Sequence, residues 1–220
     1  MLGGTCDNLS YDLFCYCGNS PAFKIDIDGC AWLELIATLV AVTVTVAHVV
    51  NAAVSIYNGN NRKNNDTTNI VHDQSSITMS FGVTTFAQAG CGAAAAHNAI
   101  ILAGGSSKLS SVVRFMESHS LTLCKSGASC TNVHWYLRRQ GYSPKMHMTK
   151  LKGNIDNTIK KCKRSIAVLL YKHSTGNHFV AIQYERKNKI FYKYNPDSTH
   201  RSIDEWLSKN NYTSVSLITI

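Results

Sequence analysis

Between Ala31 and Ile56 the chain reads AWLELIATLVAVTVTVAHVVNAAVSI, with Glu34 as its only formal charge and His48 and Asn51 as its other strongly polar members. As a helix rising about 1.5 Å per residue, such a run is long enough to cross a hydrocarbon core of about 30 Å. A segment of this composition has to be taken out of water. Two places offer that: a bilayer, for a membrane-inserting or translocation helix, or a protein interior, for a hydrophobic helix packed in a shell or against the rest of the chain. The Val and Thr alternation keeps a strand open as a third reading. A signal peptide is excluded, because the run starts late and lacks a basic leading region and a small-residue cleavage site.

The run divides two stretches of unlike charge. Up to Asn60 there are one base (Lys24) and five acids (Asp7, Asp12, Asp26, Asp28, Glu34), while the remainder carries 21 bases and 8 acids. This asymmetry points to two units of separate origin. With 45% hydrophobic and only 16% charged residues, the chain excludes wholesale disorder and low complexity. Its 8 cysteines are too few and too irregularly spaced to define a disulfide framework. Residues 1–29 mix turn formers with aromatics and show no helical period. Residues 57–76, YNGNNRKNNDTTNIVHDQSS, are Asn-rich and polar and read as a linker.

From residue 77 to 220 helical and strand patterns alternate. Helices are expected at Ala93 to Ala103, stopped by Gly104-Gly105, at Leu109 to Ser118, at Asn132 to Gln140 before Gly141, and at Ile155 to Cys162. Strands are expected at 165–172, 178–185, 189–195 and 214–220. Helices first and an antiparallel sheet afterwards give an α+β domain over 77–220. The organisation is then 1–29, a hydrophobic segment at 30–57, a linker at 58–76, and the folded domain.

Chemistry concentrates at Cys91. A cysteine at a helix start meets unsatisfied N–H groups and the positive end of the helix dipole, which favour the thiolate and lower its pKa. Gly90 and Gly92 keep bulk away from the sulfur, and the Cys91 N–H is a candidate oxyanion donor. A cysteine nucleophile needs a base and a group that orients it. His178 opens a predicted strand after the turn Ser174 to Asn177, and Asn195 ends the next strand, with Asp197 as the competing orienter. The plainer reading of each remains open: a buried cysteine that acts as a small hydrophobe, and a structural histidine. His97 reads as a helix-face residue, and His173 as a weak substitute for His178.

His119, Cys124, Cys130 and His134 carry ligand types that zinc accepts, but their spacing matches no common finger, so no metal is expected; a Cys124–Cys130 disulfide stays open. The basic run Lys150 to Arg164 places Leu151, Ile155 and Ile159 at helical spacing and interleaves no stacking aromatics, so it reads as a solvated helix face rather than a nucleic-acid surface. No phosphate-binding glycine loop or paired-carboxylate motif stands out.

Two resemblances carry further. Tyr16-Cys17-Gly18-Asn19-Ser20-Pro21, followed by Asp26 and Gly29, resembles the Tyr-x-Gly-Asn-Asn-Pro…Asp-Pro-x-Gly signature that closes the shell of Rhs/YD-repeat polymorphic toxins, departing from it at Ser20 and Ile27. In that family the toxin begins just after the signature. Over residues 77–220, Gln88 with Cys91-Gly92-Ala93-Ala94 and Asn98, then Gly176-Asn177-His178-Phe179-Val180, then Tyr194-Asn195-Pro196-Asp197, resemble the papain-like double-glycine leader peptidases that process bacteriocins and the papain-fold toxins. The resemblance implies a papain-like cysteine peptidase fold with Cys91 as nucleophile, His178 as base, Asn195 as orienter and Gln88 as an oxyanion donor, and no cofactor. It also implies a protein or peptide substrate in a target cell, a cognate immunity protein in the producer, and secretion as part of a larger protein, with transient membrane contact through 31–56. A nucleic-acid-targeting toxin and a pore former using 31–56 are the alternative functions.

Overall fold

A computed structural model of the chain describes residues 31–61, 67–120, 122–148 and 154–220. The repeat-closing signature at 11–29 lies outside the described residues. By its internal contacts the chain divides into two units, 1–47 and 48–220.

The apolar run is helical: α1 covers Ala31–Asn61, four residues beyond the expected end of the hydrophobic segment. Its stretch Ile36–Asn58 has a mean hydropathy of 2.0, and the most apolar window within it buries no side chain. Leu39, Val49, Ile56 and Tyr57 are all more than 60% exposed. The end of α1 within the second unit makes polar contacts there. Asn58, itself buried, donates to the Gly82 carbonyl at 2.9 Å, and His48 Nδ1 lies 3.3 Å from the Ser118 carbonyl.

The second unit is built on a six-stranded antiparallel sheet. Its strands are β3 (Lys145–Met148), β4 (Ile166–His173), β5 (Gly176–Glu185), β6 (Ile190–Tyr194), β7 (Ser198–His200) and β8 (Thr213–Thr219), in the order β3-β8-β4-β5-β6-β7. A separate two-stranded ribbon pairs β1 (Ser80–Phe81) with β2 (Thr84–Thr85). Helices α2 (Phe86–Ala89), α3 (Cys91–Leu102), α4 (Leu109–Ser118) and α5 (Cys130–Arg139) share one core with Ile166, Val168, Leu170, Phe179 and Ile218. Helices α6 (Ile155–Lys161) and α7 (Ile203–Lys209) share a second core with Ala167, Leu169, Tyr171, Val180, Ile182 and Leu217. Alternate residues of β4 and β5 thus enter different cores, which is why IAVLLY in β4 is apolar without a break.

The domain is α+β as expected. Helices cover both faces of the sheet: α2 to α5 share one core with it, while α6, between β3 and β4, and α7, between β7 and β8, share the other. The N-termini of these two helices cap each other. The Asp204 carboxylate accepts from the Ile155 and Asp156 N–H groups at 3.2 and 3.1 Å, and Asp156 Oδ1 accepts from the Ile203 N–H at 2.8 Å.

Part of the expected linker at 58–76 is folded. Residues 58–61 belong to α1, and residues 67–76 are laid against the folded unit. Val71 is buried, the Thr67 carbonyl accepts from the Leu109 N–H at 3.0 Å, and Gln74 is buried in a one-turn 3₁₀ helix, Gln74–Ser76. A polar, Asn-rich sequence reads as linker, but Asn58 and Gln74 use their side chains here in buried hydrogen bonds.

Candidate active site

Cys91 is the first residue of α3, and the short α2 just before it makes the approach tight. A Cβ on Gly90 would stand 2.5 Å from the Phe86 ring and carbonyl. A Cβ on Gly92 would stand 2.7 Å from the Ala128 Cβ and 3.2 Å from the Phe179 ring. Gly90 therefore lets the chain fold back tightly on Phe86 of α2, and Gly92 lets the start of α3 close onto β5. The Cys91 sulfur is half-buried there, near the backbone N–H groups of Phe179 and Gly92. Phe179 follows His178 in β5, so the start of α3 packs against the strand that carries His178.

His178 is held from the other side. The β5–β6 ladder runs from Glu185↔Ile190 to Ala181↔Tyr194, and the chain then leaves it at Asn195. Asn195 has φ +72°, in the left-handed region that Asn enters more readily than most residues, and is 1% exposed. Its main-chain carbonyl lies 2.7 Å from His178 Nε2. A carbonyl only accepts, so Nε2 is the donor, and in the neutral ring Nδ1 keeps the lone pair that can take a proton.

The imidazole is held by the main-chain carbonyl of Asn195 and not by its amide. The amide is occupied by Gln74: Oδ1 accepts the Gln74 N–H and Nδ2 donates to Gln74 Oε1, both at 2.8 Å. Asp197, the competing orienter, pairs with His72 at 2.5 Å. Gln88 is exposed on α2 with its Oε1 accepting from the Thr84 hydroxyl at 2.8 Å, which leaves its Nε2 as the end able to donate to a substrate oxygen.

The electrostatics overturn one expectation. Burial pushes the Cys91 thiol above its ordinary value, outweighing the N–H groups that pull it down. The helix start does supply the stabilising amides, but the same packing that delivers them removes water from the sulfur. His178 is lowered, first by burial, against the Asn195 bond that raises it, and then by the nearby positive charge of Lys193 and by His173. Both members therefore rest neutral near pH 7.

Lys193 is 4% exposed; burial brings its ammonium down to about 8, with the Asp197 carboxylate opposing. Its Nζ donates to the Pro196 carbonyl and lies 5.4 Å from the Trp206 ring centre. Tyr171, opposite His178 in the β4–β5 register, packs edge-on to the imidazole at 5.8 Å between ring centres. Burial, then the neighbouring Tyr212 and Cys91, take the Tyr171 hydroxyl up to about 12. Tyr171 also stacks on Tyr212 at 5.0 Å and meets Trp206 at 5.1 Å, so an aromatic wall adjoins the base.

Other residues singled out in the sequence have different occupations. His97 is fully buried in α3, with Nε2 2.8 Å from the Asn69 carbonyl and Nδ1 3.0 Å from the Ser107 hydroxyl. His173 Nδ1 meets the Thr175 hydroxyl at 2.9 Å in the β4–β5 turn. His119 Nδ1 lies 2.9 Å from the Phe115 carbonyl, His134 Nε2 lies 3.2 Å from the Pro144 carbonyl, and Cys130 faces the Ser216 hydroxyl. No group of three metal-ligating side chains forms among the described residues. A cleft of about 350 Å³ between α4 and α5, lined by Arg114, Phe115, His119, Tyr136 and Arg139, includes none of the site residues.

Gln74, Lys193 and Tyr171 are the neighbours that the motifs did not point to. Gln74 stood in the presumed linker, and the other two read as ordinary strand positions. The chain matches no protein-family model, and no curated protein matches it.

Proposed function

We propose that this chain is the C-terminal tip of a secreted Rhs/YD-repeat polymorphic toxin whose second unit is a papain-like cysteine enzyme. The observation that supports the reading is the packing of the start of the Cys91 helix against the strand that carries His178. Cys91 begins a helix and lies near the N–H of Phe179, while His178, the residue before Phe179, has its tautomer set by the Asn195 carbonyl.

In this reading His178 Nδ1 takes the Cys91 proton as the sulfur attacks an amide or acyl carbonyl carbon. The N–H groups at the start of α3 stabilise the oxyanion, with Gln88 Nε2 as a further donor. The C–N bond breaks, His178 returns its proton to the leaving amine, and a thioester remains on Cys91. Water, losing a proton to His178, then hydrolyses the thioester and regenerates the thiol. Because both groups rest neutral, proton transfer accompanies attack rather than preceding it. A peptidase is the leading activity, and a deamidase, transglutaminase or acyltransferase would use the same groups. The substrate is a protein or peptide in a target cell, and a cognate immunity protein protects the producer.

The test is expression of the chain in bacterial cytosol as wild type, Cys91→Ala and His178→Ala. Growth arrest by wild type and by neither mutant is the expected result. Equal toxicity of all three overturns the cysteine-enzyme reading and turns attention to nucleic acid or membrane.

A membrane role for α1 in delivery goes with this reading and is supported by its apolar, exposed side chains over Ile36–Asn58. Flotation of the chain with anionic phospholipid vesicles checks it. Recovery of all the protein in the vesicle-free fraction would remove the membrane from the account.

A further inference from the structure

Helix α3 buries nine of its twelve residues, and two of those nine, His97 and Asn98, are strongly polar. Both are used to hold the segment 67–76. Asn98 Oδ1 accepts the Val71 N–H and its Nδ2 donates to the Val71 carbonyl, each at 2.8 Å, so one amide engages both polar groups of that residue. His97 takes the Asn69 carbonyl two residues earlier. At Asp73 the segment turns, with the carboxylate accepting the Ser75 N–H and hydroxyl, and the next residue, Gln74, enters the interior at 8% exposed.

Gln74 makes three bonds in two directions. Its N–H and Oε1 engage both ends of the Asn195 amide, and its Nε2 donates to the Ala87 carbonyl at 2.9 Å. Ala87 stands four residues before Cys91, and Asn195 holds His178 through its carbonyl. Asn195 also lies past the end of the β5–β6 ladder, so that ladder no longer supports it.

We infer that Gln74 is a positioning residue that ties the orienter of the base to the segment leading into the nucleophile's helix, and so sets the spacing of Cys91 and His178. The inference rests on the cysteine-enzyme reading above. Gln74 touches neither reacting atom in this role. It acts through Asn195 on one side and Ala87 on the other.

The experiment measures alkylation of Cys91 by iodoacetamide across pH 4–9 in the full chain, read by mass spectrometry, with unfolding transitions recorded for every variant. Gln74→Glu is isosteric and keeps an acceptor for Asn195 Nδ2, but it cannot donate to Ala87. It is expected to keep the fold and to slow the His178-dependent alkylation about 10-fold, the size of effect that a small misplacement produces. Gln74→Ala is expected to slow it further and to move the His178 inflection, and Gln74→Glu carries the test should Gln74→Ala not fold. In ¹⁵N-histidine spectra the Nε2–H signature of His178 is expected to weaken in both variants, which a loss of global stability alone does not produce.

A folded Gln74→Glu chain with wild-type rate, inflection and histidine signature overturns the inference while leaving the enzyme reading intact. Alkylation of wild-type Cys91 that is unchanged by His178→Ala removes the enzyme reading, and the inference with it.

Discussion

Helices α1 and α3 are both apolar around most of their circumference, yet they meet opposite surroundings. In α3, Ala93, Ala94, Ala95, Ala96 and Ala99 are all 0% exposed, between β5 and the neighbouring helices. In α1, Ile36, Val40, Val42 and Val46 are each more than half exposed. The difference lies in side-chain size and in what the polar residues do. Alanines and Gly92 let a sheet approach the α3 backbone closely, and His97 and Asn98 give the helix internal partners. In α1, Leu39 and the valines at 40, 42, 46 and 49 leave a bulky apolar surface exposed. Apolar composition states that a segment leaves water, and only the shape and polarity of its surface state for what.

A charge placed in each helix gives the largest expected contrast. Ala95→Asp buries an unpaired carboxylate and is expected to cost several kcal/mol, on the order of a domain's whole stability, so the variant should lack a cooperative unfolding transition. Val46→Asp in α1 is expected to shift the unfolding midpoint by less than about 0.5 kcal/mol. The same variant should weaken vesicle binding by about 2.5 to 3.5 kcal/mol if α1 enters the bilayer core. A large loss of stability from Val46→Asp would mean that α1 is a core helix like α3.

Gly92→Ala sharpens the comparison at the point where α3 meets β5. The new methyl conflicts with Ala128 and Phe179, so a loss of about 1–3 kcal/mol is expected, seen in urea denaturation, together with slower alkylation of Cys91. An unchanged midpoint and rate would show that the close approach does not matter.

A further contrast is in pH dependence. His178 has a folded value below its usual 6.5, so between the two values the unfolded chain binds more protons than the folded one. The stability this contributes is present above pH 6.5 and is lost as pH falls through the folded value. His178→Ala should flatten that acid limb of the stability curve. Lys193 has a folded value of about 8 against 10.5, so burial of its charge costs stability at neutral pH and the cost is relieved as pH rises from 8 to 10.5. Lys193→Met should therefore remove this alkaline gain, and by removing a positive charge near His178 it should shift the acid limb of Cys91 alkylation up toward 6.5. A limb that stays put would show that Lys193 does not tune the base.

The long periodic segments were legible in the chain. Helix α4 has the expected bounds, and α3, α5, α6 and strands β4, β5, β6 and β8 fall within about two residues of theirs. What was missed is short or lies under polar sequence. Strand β3 has four residues and β7 three, too few for an alternation to register. Helix α7 does carry a local signal in its sequence: Ser202 accepts the Glu205 N–H at 3.0 Å, an S-x-x-E start. At the site, Cys91, His178 and Asn195 could be picked out by residue type and order. That the Asn195 carbonyl rather than its amide meets His178 could not be read, since it depends on a left-handed φ and on Gln74, 121 residues away. Nor could the raised Cys91 pKa, which comes from packing around the helix start rather than from the helix.

The most direct test of the central claim is site-resolved labelling of the folded chain with a limiting amount of iodoacetamide at pH 7, in wild type and in His178→Ala. The account predicts that Cys91, although more buried than an ordinary reactive thiol, is modified faster than the half-buried Cys130 and Cys162 in wild type and loses that lead when His178 is removed. Cys91 reacting no faster than Cys130 and Cys162, or equally fast with and without His178, would contradict it.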